Sequence, residues 1–213
     1  MASMKRNTSR AGRPKGDKRE RTRAALIRAA SDVIGEKGWD RTSLEEVAAR
    51  AGMTRGAIYG NFKHREDLYL AVVRARWKPV MPPLAPGASF AEYMRTLGHA
   101  VIAAGPERRA QAVGALSFML YAMTHEDMRS RVRQLNAGVY RAGADRMAQA
   151  FPAEQLPMAP EVLVRVVHAL TDGLSVLRFI TPELITDDVV LAAFEALAAR
   201  GTLTRPSQEG HRQ

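Results

Sequence analysis

The chain contains no cysteine. Disulfides and thiolate metal sites are therefore excluded, which fits a reducing cytoplasm. No run of about 18 apolar residues occurs, so no membrane span is expected. The first residues lack the apolar core of a signal peptide. The signatures G-x-S-x-G, H-E-x-x-H, Walker A and G-x-G-x-x-G are all missing, so the common hydrolase, zincin and nucleotide-binding chemistries have no foothold. Histidines at ligand spacing are missing too, so neither a metal nor a cofactor is expected. No segment alternates apolar and polar residues with a two-residue period, so the expected fold class is all-α, with about nine helices and no sheet.

The positive features begin with charge. Residues 1–65 carry 16 Lys and Arg against 7 Asp and Glu, whereas residues 66–213 carry 16 against 15. Nearly all of the net charge of +10 lies in the first third. A basic module joined to a neutral one is the electrostatic footprint of nucleic-acid binding. A basic tail that only solubilises is the bland alternative for the first 17 residues. These are polar, without periodicity, and expected to be disordered. Within them Gly12-Arg13-Pro14-Lys15-Gly16 is similar to the core of an AT-hook, whose Arg13 and Lys15 would lie in an A·T minor groove. A solvated tail remains an equal reading.

The segment Arg41 to Leu68, RTSLEEVAARAGMTRGAIYGNFKHREDL, has the pattern of a helix-turn-helix. Leu44, Val47, Ala48 and Ala51 recur on one helical face. Ser43 and Glu46 form an S-x-x-E capping box, and Gly52 supplies the left-handed residue of the turn. Thr54 can cap a very short second helix reaching Phe62. In such a motif the second helix enters the major groove and reads bases with its first residues. Those are Arg55, Gly56 and Ala57. Arg55 can donate a bidentate pair to guanine, and Ala57 can touch a thymine methyl. Ile58 and Phe62 belong to the core.

The run T-S-L-E-E-V-A-A-R-A-G-M-T-R-G-A-I-Y-G-N-F-K-H-R-E-D-L, with the helix Arg21 to Glu36 and Gly38 before it, resembles the DNA-binding domain of the TetR family of transcriptional regulators. The resemblance covers roughly residues 18 to 72. It implies that Thr42, Ser43, Tyr59 and Arg65 hold DNA phosphates, and Lys63 is a further phosphate candidate. Asn61 stands where the family has His more often, and Gly60 replaces a residue that is frequently bulky. These departures bear on the target sequence, with Asn61 kept among the base-contact candidates. A core aromatic is the alternative reading of Tyr59.

The remaining chain is punctuated into helices. A first helix runs from about Lys18 to Glu36 with Leu26, Ile27, Ala30, Val33 and Ile34 buried. Another runs from Arg65 to about Lys78, with Leu68, Val72 and Ala75 inward. Prolines 79, 82, 83 and 86 then break regular structure. Ser89-x-x-Glu92 caps a helix ending near Gly105, Pro106 opens the next, and Thr124-x-x-Asp127 starts one reaching about Phe151. Helices follow over 161–180 and 187–200. The expected organisation is a basic arm over 1–17, a helix-turn-helix domain over 18–64, a helical ligand-binding and dimerisation domain over 65–200, and a polar tail over 201–213.

The resemblance further implies a homodimer paired through the last two helices, and a small-molecule effector that releases DNA. Dimer candidates are Val166, Leu170, Gly173, Leu174 and Leu177, with Val190, Phe194 and Leu197. Intramolecular core is the alternative for both helices. Effector-pocket candidates are Met94, Phe118, Tyr121 and Met123, since Met is adaptable and polarisable. His168 and Asp172 are polar groups on an otherwise apolar helix. For each of these six, ordinary core is the competing reading. The expected partners are double-stranded DNA, a second copy of the chain and an unidentified effector. The runner-up function is a non-inducible architectural DNA-binding dimer.

Overall fold

The structure, a computed structural model, describes residues 15–77 and 79–199. Among the described residues there are nine α-helices, one 3₁₀ turn and no strand. The helices are α1 Lys15–Lys37, α2 Leu44–Arg50, α3 Arg55–Tyr59, α4 Arg65–Arg76, α5 Phe90–Ala103, α6 Gly105–Thr124, α7 Glu126–Ala150, α8 Pro160–Ile180 and α9 Asp187–Ala198. Among the described residues, no helix is long and apolar enough to cross a membrane.

The chain divides into two compact units. The first is Met1–Trp77 with Ser117–Met128; the second is Lys78–Leu116 with Arg129–Gln213. The expected border between residues 64 and 65 is therefore not where packing divides the chain. Helix α4 belongs with the helix-turn-helix, and so does the C-terminal part of α6. Arg13 lies outside the described residues. Lys15, expected in an extended arm, opens α1.

In the first unit, Gly38 ends α1 at φ +79°, and its N–H donates to Ile34 O at 2.8 Å. Gly52 makes the turn between α2 and α3 at φ +65°. Both positions need the left-handed region that glycine enters without a Cβ penalty. Ser43 caps α2 by accepting from Glu46 N–H at 3.2 Å, and Thr54 caps α3 by accepting from Ala57 N–H at 3.2 Å. The reciprocal half of the expected Ser43–Glu46 box is replaced, because the Glu46 carboxylate pairs with Lys37 at 2.5 Å. Leu26, Val33, Val47, Ile58, Phe62 and Leu68 are essentially inaccessible. Each such side chain contributes roughly 1.5–3 kcal/mol of hydrophobic stabilisation. Ala75, expected to face inward, is exposed.

Tyr69 of α4 is buried. Its hydroxyl lies 2.5 Å from Trp39 O and 2.9 Å from Thr42 O, so it pins the loop between α1 and α2. Burial pushes its pKa up to about 12. Trp39 meets Tyr69 edge-on at 5.0 Å, and Phe118 and Tyr121 at 5.0 and 6.4 Å. Such ring pairs add to the hydrophobic gain of burying them.

The second unit centres on Phe90, Tyr93, Leu97, Phe151, Leu163 and Phe194. Ser89 and Glu92 do form a reciprocal capping box at the start of α5. Pro160 occupies the first turn of α8, where its missing N–H costs nothing. Helices α5 and α9 approach closely at Gly98, where a Cβ would lie 3.2 Å from Leu191 and 3.3 Å from Phe194.

Candidate nucleic-acid interface

The helix-turn-helix exposes a cationic set of side chains on a rigid base. Arg55, in the first turn of α3, keeps 75% of its side chain accessible. Tyr59, at the end of α3, is 40% exposed, so the core reading does not hold for it. Ser43, Gly56 and Lys63 are exposed, and Ala57 is half-buried. A Cβ on Gly56 would meet only Thr54 Oγ1, at 3.8 Å, so the outer side of the helix is open. Arg65 is half-buried, and its Nε donates to Glu66 at 3.1 Å.

Glu45 of α2 joins two of these residues. The Tyr59 hydroxyl donates to Glu45 Oε1 at 2.8 Å, and Arg55 reaches the same oxygen at 3.5 Å. The Arg55 guanidinium also lies 5.4 Å from the centre of the Tyr59 ring. The hydrogen bond from Tyr59 holds the Glu45 carboxyl below its ordinary pKa, with further help from its own backbone and from Arg55. Sequence reasoning missed Glu45. The available signal was its position in the first turn of the helix preceding the recognition helix.

Two sequence-derived site residues have different roles in the structure. Thr42 is 2% exposed, and its hydroxyl donates to Gly38 O at 2.8 Å. It closes the α1–α2 loop and presents no donor to a phosphate. Asn61 is half-buried with its amide donating to Ala57 O at 2.8 Å, so it closes the end of α3 instead of facing bases. Arg23 of α1 supports the same point: it lies 4.4 Å over the Phe62 ring and donates to Asn61 O at 3.3 Å.

The six effector candidates do not converge. Met94 is in the core of the second unit. Phe118 and Tyr121 belong to the first unit, where both are buried and packed with Trp39. Met123 is 71% exposed. Only His168 and Asp172 meet, with Nε2 to Oδ2 at 3.1 Å. Around them the structure adds Tyr140 of α7, whose hydroxyl is 2.7 Å from His168 Nδ1, and buried Arg108 of α6, 3.9 Å from Asp172. The hydrogen bond that His168 donates to Asp172 raises the His168 pKa, against the opposing pull of burial. Burial lowers that of Arg108. The sequence offered no local cue to Tyr140 or Arg108, since each lies on a separate helix from His168. A cleft of about 400 Å³ in the second unit lies elsewhere, lined by 84–88, 150–152 and Gln155.

The dimer candidates also separate. Val190 and Phe194 are wholly buried within the single chain, so they hold α9 in its own core and offer nothing to a partner. On α8, Val162, Val166, Leu177 and Ile180 are between 36% and 68% exposed. Gly173 lies on the surface with nothing within 4 Å of a built Cβ. Leu170, Leu174 and Leu197 are partly buried against the core.

Helices α1–α3, with the capped five-residue α3 carrying exposed Arg55 and Tyr59, form a helix-turn-helix DNA-binding domain in a chain that also has a helical second unit. Residues 26–72 match the model of bacterial regulatory proteins of the tetR family, and residues 90–202, more than half of the chain, match that of the C-terminal domain of BetI-type transcriptional repressors. The chain belongs to the TetR family of bacterial transcriptional regulators, DNA-binding proteins among which named repressors are its relatives.

The HTH-type transcriptional repressor BepR of Brucella suis is 42% identical over 57 residues, which are 26% of this chain and 27% of that protein. That match spans about a quarter of the relative's length. Solved structures match nearly throughout. The structure of NalD, the secondary repressor of the MexAB-OprM multidrug efflux pump in Pseudomonas aeruginosa, is 25% identical with a TM-score of 0.60, covering 87% of this chain and 99% of that one. A TetR-family regulator from Rhodococcus sp. shares the fold at a TM-score of 0.66 and 21% identity, covering 84% of this chain and 100% of that one.

Proposed function

We propose that this regulator binds a palindromic operator as a homodimer, represses transcription, and leaves the DNA when a small apolar or amphipathic molecule binds its second unit. The observation that carries the DNA half is the exposed set Ser43, Arg55, Tyr59 and Lys63 around a rigidly capped recognition helix. Hydroxyls and cations donate to phosphate oxygens whatever the base, while Arg55 has the fork that guanine accepts. Two such helices related by a twofold axis would enter successive major grooves about 34–36 Å apart.

The dimer half rests on the apolar stripe of α8. Residues 162, 166, 169, 173, 177 and 180 follow helical spacing, and each is exposed. Val189, on α9, is also exposed. A stripe of this kind on a long amphipathic helix calls for a partner helix, and a second copy supplies the same stripe.

For the effector, Tyr140, His168, Asp172 and Arg108 are the best-supported anchor, because they gather donors and acceptors from α6, α7 and α8 at one place. Effector and DNA must then weaken each other by the same factor. The test is a fluorescence-anisotropy titration on a duplex from the DNA upstream of the chain's own gene. Salt-sensitive binding of two chains per palindrome supports the reading, and one chain per site overturns it. Screening amphipathic molecules against that complex supports induction if one of them releases the DNA. A set that leaves the complex intact favours the architectural alternative.

A further inference from the structure

Two of the proposed DNA-facing donors, Tyr59 and Arg55, are already engaged in the described chain. One carboxylate oxygen, Oε1 of Glu45, takes the Tyr59 hydroxyl at 2.8 Å and lies 3.5 Å from the Arg55 guanidinium. All three side chains are substantially exposed, Glu45 at 50% and Arg55 at 75%. The neighbouring Glu46 is engaged elsewhere, with Lys37. Glu45 is therefore the acidic group set directly against the recognition helix.

An anion in this position has consequences for a polyanionic partner. A phosphate that takes the Tyr59 hydroxyl must displace Glu45 Oε1, and the displaced carboxylate then faces negative charge. Arg55 can relieve that conflict. Its five donors allow one edge to stay on Glu45 while the other binds guanine O6 and N7. DNA that offers phosphates but no guanine at that point leaves the conflict unrelieved.

We propose that Glu45 is a specificity-determining residue that never touches a base: its carboxylate opposes DNA binding in general, and least where a guanine engages Arg55. The inference rests on Arg55 and Tyr59 being DNA ligands, as proposed above. It makes Glu45 and Arg55 one device, in which the acid supplies discrimination against random sequence and the base supplies the exception.

The experiment compares wild type with Glu45→Gln, Glu45→Asp, Arg55→Ala and the double variant Glu45→Gln/Arg55→Ala. Each is titrated by anisotropy against two duplexes of about 30 base pairs, one of random sequence and one recovered from a random pool by selection with wild-type protein. Glu45→Gln should bind the random duplex about three- to fivefold more tightly, the upper part of the range of an exposed charge interaction, and the selected duplex less than about twofold more tightly. Glu45→Asp keeps the charge and should bind random DNA as wild type does. In the Arg55→Ala background, Glu45→Gln should change both duplexes by the same factor. Equal factors on the two duplexes in the Arg55 chain, or no change on random DNA, would overturn the proposal. Failure of wild type to enrich any sequence would instead overturn the DNA reading beneath it.

Discussion

The helix-turn-helix part, up to Trp77, and the second unit differ in the apolar surface they leave open. The first packs the short helices α2 and α3 against the long α1 and α4. Leu26, Ile58, Phe62 and Tyr69 are at or near zero exposure, and among described residues up to Trp77 the exposed large apolar side chain is Tyr59, whereas Met119, Leu120 and Met123 of the same unit are 40–71% exposed. The second unit has a core of similar quality around Phe90 and Phe194, yet it leaves Val162, Leu177 and Ile180 about half or more exposed. A sequence that buries Phe194 completely and leaves Ile180 at 68% is not failing to pack. It has a second apolar face, the surface on which the proposed self-association rests.

The largest effect should come from the finished part of the second unit. Phe194→Ala opens a cavity against α5 and should cost about 3–5 kcal/mol, measured by urea unfolding. If it costs no more than a surface change, Phe194 is not core, and α9 must be reassigned to the interface. Gly173→Arg addresses the unfinished face. It should leave the folded single chain intact but weaken self-association by roughly 3 kcal/mol, because an unpaired guanidinium would be buried between apolar helices. A fully dimeric variant in sedimentation would place the interface elsewhere.

Tyr69→Phe probes the closed unit more gently. Losing one hydroxyl that serves Trp39 O and Thr42 O should cost about 1–3 kcal/mol. The same group sets an alkaline limit. Its folded pKa, pushed up to about 12, exceeds the unfolded value of about 10. Its contribution is therefore full below pH 10 and is lost as pH rises toward 12. Unfolding free energies across pH 9 to 12 should fall in wild type and stay flatter in Tyr69→Phe. Parallel curves would mean that Tyr69 does not govern that limit.

The smallest effect concerns His168. Its pKa is raised by Asp172, so its contribution is full below pH about 6.5 and fades as pH rises through the folded value. His168→Gln should remove that slope. Because the side chain is nearly half exposed, only a small change in melting temperature between pH 5.5 and 8 is expected. A slope that persists in the variant would assign it to another group.

Local chemistry was readable in the sequence. Ser43, Thr54 and Ser89 cap the helices their side chains announce, and Gly38 and Gly52 turn where glycine is needed. The second set of facts depends on partners far apart in the chain. Nothing near Phe118 says that it will pack on Trp39, and nothing near His168 names Tyr140. Periodicity marked Val190 and Phe194 as one apolar face without saying whether the chain itself or a copy would cover it. Thr42 matched a family contact position and Asn61 stood where the family more often has His, but a nearby carbonyl accepts from each side chain. Glu45 had only its place in the first turn of α2 to mark it, because its partner Tyr59 lies across the α2–α3 crossing, fourteen residues away.

The most direct test is the stoichiometry and salt dependence of binding to the selected duplex, measured for wild type and Gly173→Arg side by side. The account predicts two wild-type chains per palindrome, with affinity falling steeply with salt as counterions are displaced, and a variant that binds the same duplex far more weakly. One chain per duplex at full affinity, or a Gly173→Arg protein that binds as wild type does, would contradict it.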